Sequence, residues 1–227
     1  MAILCRDIGL LLLQAPHTGS TSLGTLLREE LGGVKLLEDR VRDEHGHIVL
    51  RQKHQTLAQL IEAGLISTDE RRDLLVVVGV RNPFDLVLTE YARNREAGAI
   101  SAWQRLIRRL PGSSDDFSGP DFERFVVRRY TPNSFYRLRG RKPFIPVDWT
   151  EGVDHIIRFE AIQAGLDEAL HKVGVTEPHP LPHRNPTASR RDRDYRNIYT
   201  DRAREVVTQA YARELEQHGY RYEPGTG

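Results

Sequence analysis

Apolar residues run unbroken from Ile8 to Leu13 apart from Gly9 and end at Gln14, where a Pro/Gly/Ser/Thr cluster takes over before Leu23, Leu26, Leu27 and Leu31 recur at helical spacing. The pattern predicts a buried strand over Ile8 to Gln14, a loop, and a helix stopped by Gly32 and Gly33. A less regular stretch follows, with a short strand at His47 to Leu50. Thr56 to Ala63 then reads as helix, and Ser67 to Glu70 has the Ser-x-x-Glu spacing of a capped helical turn. Leu74 to Val80 is β-branched and apolar on both faces, the signature of a central strand in a parallel sheet. It ends in Arg81-Asn82-Pro83 and a helix over Phe84 to Arg95. A further strand, Asp154 to Phe159, leads into a helix over Glu160 to Val173. Last comes an amphipathic helix over Arg202 to Gln217, with Ala203, Val206, Val207, Ala210, Tyr211 and Leu215 inward.

Strands alternating with helices place the chain in the α/β class, with a central parallel sheet flanked by helices in three layers. In such sheets ligands sit beyond the carboxyl ends of the strands, so chemistry belongs in the segments after Gln14 and Val80. A length of 227 residues suits one core, and residues 1–227 are expected to form a single domain. The Pro/Gly-rich stretches Pro111 to Pro120 and Glu177 to Pro186 return directly to patterned sequence and do not read as linkers.

Charge narrows the partners. Lys and Arg number 33 against 32 Asp and Glu, a formal charge of +1, which argues against coating nucleic acid or an anionic membrane. The opening apolar run is interrupted by Arg6 and Asp7 and is too short to span a bilayer, so no membrane insertion is expected. Cys5 is the only cysteine. It allows no disulfide within the chain, and a reducing, cytoplasmic setting fits. His45 and His47 alternate as strand residues do, but nothing nearby supplies a third ligand, so no metal is expected.

After the first strand stands Ala15-Pro16-His17-Thr18-Gly19-Ser20-Thr21-Ser22-Leu23. A Gly/Ser/Thr turn at a helix start aims backbone N–H groups and hydroxyls at one spot, where the helix dipole also favours an anion. The plainer reading is that Ser20 or Thr21 only caps the helix. A Walker A loop does not fit, because Gly19 is followed by Ser20 instead of lysine and no glycine stands five residues earlier.

These residues resemble the 3′-phosphoadenylyl sulfate (PAPS)-dependent sulfotransferase family. Its phosphosulfate loop reads Pro-Lys-Thr-Gly-Ser/Thr-Thr, and Pro16 to Thr21 match at all but one position. A second family motif, a strand ending in Arg-Asn/Asp-Pro with a serine eight residues after the arginine, is similar to Arg81-Asn82-Pro83 with Thr89. His155 to Glu160 and the closing region Arg190 to Tyr222 look like further family segments. The resemblance implies a P-loop-like fold and transfer of a sulfuryl group to a hydroxyl of a small-molecule or carbohydrate acceptor, releasing adenosine 3′,5′-bisphosphate with no metal required.

It also implies roles. Thr18, Gly19, Ser20, Thr21 and Ser22 would hold the 5′-phosphosulfate through backbone N–H groups and hydroxyls. Arg81 would bind the 3′-phosphate with help from the Thr89 hydroxyl. His17 stands where the family has lysine. An imidazole can donate to the departing oxygen, as a cation only while protonated, since its ordinary pKa is about 6.5. Lys53 would add positive charge, and His54 is the first candidate for the base that takes the acceptor proton, with Glu38, Asp39 and His47 as other candidates. Arg190, Arg191 and Arg193 lie in a loop that could fold over the nucleotide, although a solvated charged loop is the plainer reading, and Pro111 to Phe125 is a candidate lid. The competing readings are a P-loop small-molecule kinase and a nucleotide-binding module without turnover. No segment speaks to oligomeric state.

Overall fold

The computed structural model describes residues 2–50, 52–96, 120–131, 146–182 and 194–223. The chain divides into two compact units, one of Met1–Arg81 with Asp148–Asn185, the other of Asn82–Val147 with Pro186–Gly227.

The first unit is mixed α/β. Its strands are β1 (Ala2–Cys5), β2 (Leu10–Leu13), β3 (Val34–Lys35), β4 (Val41–Arg42), β5 (Ile48–Leu50), β6 (Leu75–Val80) and β7 (His155–Arg158). Five of them form one sheet in the order β3-β1-β2-β6-β7, while β4 and β5 pair separately. The sheet is mixed instead of wholly parallel. β2, β6 and β7 run parallel, but β1 is antiparallel to both β2 and β3. The cause lies in the opening run. Arg6 and Asp7 enter a turn of 3-10 helix, and Gly9, at φ 63°, reverses the chain, so the strand expected at Ile8 to Gln14 is β2 and a further strand, β1, precedes it as its hairpin partner.

Helices flank this sheet. α1 (Ser20–Glu30) and α6 (Ile162–Lys172) set Leu23, Leu26, Leu27, Leu166, Ala169 and Leu170 against Ile3, Cys5, Leu10, Leu12, Val77 and Ile157, the inward residues of one sheet face. Leu4, Leu11, Leu13, Val76 and Val78 alternate onto the other face and are equally buried. The short α2 (Leu57–Glu62) carries the full Thr56/Gln59 capping box, and in α3 (Thr68–Arg72) the Ser67 side chain accepts from the Glu70 N–H.

The second unit is helical in its described residues: α4 (Pro83–Glu96), α5 (Pro120–Tyr130), α7 (Asp201–Ala210) and α8 (Ala212–His218). Phe84, Val87, Leu88, Tyr91, Phe122, Val126, Ala203 and Val207 make its core. The terminal helix expected as one piece breaks at Tyr211, whose φ of −112° and ψ of 23° leave the helical region. The Tyr211 ring there is buried against Tyr130, with centroids 5.6 Å apart. No helix among the described residues is long and apolar enough to cross a membrane.

Candidate functional site

The loop that follows β2 folds back on its own first carbonyl. Thr18 Oγ1 and Ser20 Oγ both donate to the Ala15 carbonyl, at 3.0 and 2.9 Å, and both residues are buried. The Gln14 amide donates to the Ser20 carbonyl at 2.6 Å, clamping the first turn of α1 to the end of β2. Those two hydroxyls therefore shape the loop, while at the start of α1 the Ser22 N–H donates to the Gly19 carbonyl at 2.9 Å and Ser20 and Thr21 supply the first N–H groups of the helix. Gly19, at φ 76°, is the N-cap, and no side chain caps this helix. The capping role considered for Ser20 and Thr21 is thus not the one they play here.

Two glycines make the arrangement possible. A Cβ on Gly19 would collide with Ile162 Cδ1 and come 3.2 Å from Phe159 Cδ2. On Gly79, in β6, a Cβ would stand 2.9 Å from Thr18 Oγ1 and 3.0 Å from the Thr18 carbonyl oxygen. The loop thus rests directly on the bare backbone near the carboxyl end of β6.

Arg81, at the end of β6, reaches this loop. Its Nη1 donates to the His17 carbonyl at 2.9 Å, and its guanidinium carbon lies 3.8 Å from the centroid of the Phe159 ring. The residue is only 8 % exposed, which puts a permanent cation beside the loop after β2 in a partly desolvated place. Arg81, the first residue of the second motif, thus meets the loop of the first motif within the first unit, while Asn82 and Pro83 belong to the second unit. Thr89 belongs to the second unit, in α4, where its buried hydroxyl donates to the Asp85 carbonyl at 3.0 Å.

His17 and His54 are the non-glycine residues with positive φ among the described residues, at 61° and 64°. Such backbone costs about 1–3 kcal/mol per residue and persists only where the surroundings hold it. Arg81 holds His17 through its carbonyl. His54 is held by its ring, whose Nδ1 lies 2.8 Å from the Gln14 carbonyl. A carbonyl can only accept, so Nδ1 carries the proton and in the neutral ring the lone pair sits on Nε2. Trp149 meets the His54 ring edge to face, with centroids 6.2 Å apart. The Nδ1 bond thereby ties the His54 ring to Gln14, the residue between β2 and the loop.

Lys53 is exposed beside His54. His47 lies at the tip of the β4–β5 hairpin, where its Nδ1 is 3.3 Å from Asp43 Oδ2. Residues 111–119, part of the candidate lid, and Arg190, Arg191 and Arg193 lie outside the described residues. Sequence reasoning missed Gln14, Gly79, Trp149 and Phe159. Gln14 alone left a local signal, a buried polar residue closing an apolar run; the others matter through contacts with residues remote in sequence. Comparison of the chain with protein-family models, with curated proteins and with solved structures gave no match.

Proposed function

We propose that the chain is a sulfotransferase of P-loop-like architecture. It takes PAPS as sulfuryl donor and a hydroxyl of a small-molecule or carbohydrate acceptor as nucleophile. The observation that carries the reading is the Arg81 to His17 hydrogen bond, by which the arginine ending β6 meets the Gly/Ser/Thr loop ending β2. A nucleotide that carries a phosphosulfate and a second phosphate is strongly anionic, and a cation close to oriented N–H donors supports its binding.

In this scheme the acceptor oxygen attacks sulfur, the bond from sulfur to the phosphate oxygen breaks, and the acceptor proton passes to Nε2 of His54. Charge developing on the released phosphate oxygen is met by the N–H groups at the start of α1 and by the His17 ring. Arg81 supports the second phosphate. Lys53 adds positive potential.

Thermal unfolding with added nucleotide tests the reading. Adenosine 3′,5′-bisphosphate without magnesium, at a hundredfold excess over its Kd, should raise Tm by roughly 5–10 °C. A rise only with ATP and magnesium would replace the proposal with a kinase. No response to either would end it, and bisphosphate binding without sulfate transfer to any of a broad acceptor panel would leave a binding module.

A further inference from the structure

Phe159 follows β7 and opens the 3-10 turn leading to α6. Two separate contacts meet on its half-buried ring. One face carries the Arg81 guanidinium at 3.8 Å from the centroid. Its Cδ2 and Cε2 edge lies so close to Gly19 that a Cβ there would come within 3.2 and 3.4 Å. A planar guanidinium at that distance has room only to lie against the ring, which removes its freedom to rotate and leaves its N–H groups pointing outward in one plane. Nη1 then meets the His17 carbonyl at 2.9 Å.

We infer that Phe159 is a positioning residue of the anion loop. Its ring fixes Arg81 in the orientation that ties down His17, and it supports Gly19 at the start of α1 from the same side. On the anion-binding reading of the loop, on which this part rests, Phe159 also sets affinity for the nucleotide. An ordinary space-filling role makes a different demand, because an aliphatic side chain of similar volume fills the gap but offers no aromatic face to a cation.

Hydrogen exchange at the amides of residues 17–22, with Leu166 to Leu170 of α6 as internal control, separates the two. In Phe159→Leu the loop amides should exchange about tenfold faster, the size of a partly desolvated cation–ring contact, with α6 unchanged and Phe159→Tyr restoring the native rate. Because the effect runs through Arg81, Phe159→Leu should add little in an Arg81→Met background, and Arg81→Met alone should accelerate the same amides even should the leucine variant not fold. Unchanged loop exchange in Phe159→Leu or in Arg81→Met, or equal acceleration of the loop and α6, overturns the inference. Titration with adenosine 3′,5′-bisphosphate reads the second part: Kd should rise about tenfold in Phe159→Leu and not in Phe159→Tyr. Native protein that ignores the bisphosphate would defeat the sulfotransferase reading alone, with the exchange pattern still deciding for or against Phe159.

Discussion

Gly79→Ala sets two physical effects against each other. By backbone preference alone, alanine in a strand interior should stabilise by about 0.5–1 kcal/mol, since glycine loses the most freedom on folding. The added methyl, however, would stand 2.9 Å from Thr18 Oγ1, 3.0 Å from the Thr18 carbonyl oxygen and 3.1 Å from Thr18 Cβ. None of these is the free end of a flexible chain: Thr18 is buried and its hydroxyl is already committed to the Ala15 carbonyl. Relief requires the loop to lift, which costs about 1–3 kcal/mol in overpacking and about 1 kcal/mol more should the Thr18 hydrogen bond break. The steric effect wins, leaving a net loss of roughly 1–3 kcal/mol and a Tm lower by about 2–10 °C. Thermal unfolding reads the stability, and bisphosphate titration should show weaker binding because the lifted loop carries the N–H donors. A Tm equal to or above that of the native protein, with unchanged affinity, would refute the claim that the loop sits on bare β6 backbone.

Three other outcomes follow from the same geometry. His17→Gly should raise stability by up to about 1 kcal/mol by relieving the left-handed backbone, while single-turnover sulfate transfer falls about a hundredfold; unchanged transfer would remove His17 from the chemistry. His54→Asn, whose amide can still donate to the Gln14 carbonyl, should lower kcat by about 10²–10⁴ with bisphosphate affinity intact, and loss of binding with preserved kcat would contradict the base assignment. Burial, and after it the nearby Asp7, pushes the Cys5 thiol up to about 11. The unfolded thiol, with a pKa near 8.5, ionises first as pH rises, so stability should fall between about pH 9 and 11, and in the folded protein alkylation at pH 8 should wait on unfolding. A Cys5→Ala variant with the same alkaline slope would show that another group is responsible.

What the sequence disclosed was local. LLVVVGV announced β6 because a strand buried on both faces must be apolar throughout, and Ser67 announced its helix through a side chain that bonds three residues on. The loop at Gly19 was legible as a loop for the same reason: the Gly/Ser/Thr cluster between a strand and a helix is a local signal. The direction of β1 was not, since an apolar run satisfies a parallel or an antiparallel partner equally and only the turn at Gly9 decides. Gly79, Trp149 and Phe159 escaped because each acts on a residue far away in sequence. His54 stood out as a histidine, but its tautomer is set by the Gln14 carbonyl, and no pattern announces that pairing.

The hairpin β1–β2 closes through a single short turn, whereas the parallel pairings of β2 with β6 and of β6 with β7 join distant segments. Loop-closure entropy makes such pairings late events. The seat of Thr18 on Gly79 and the bond from Arg81 to His17 come into being only with them, so a nascent chain carries the loop's letters without its grip. A nucleotide should then slow unfolding while leaving the refolding rate untouched, a signature that stopped-flow measurements with and without ligand display directly.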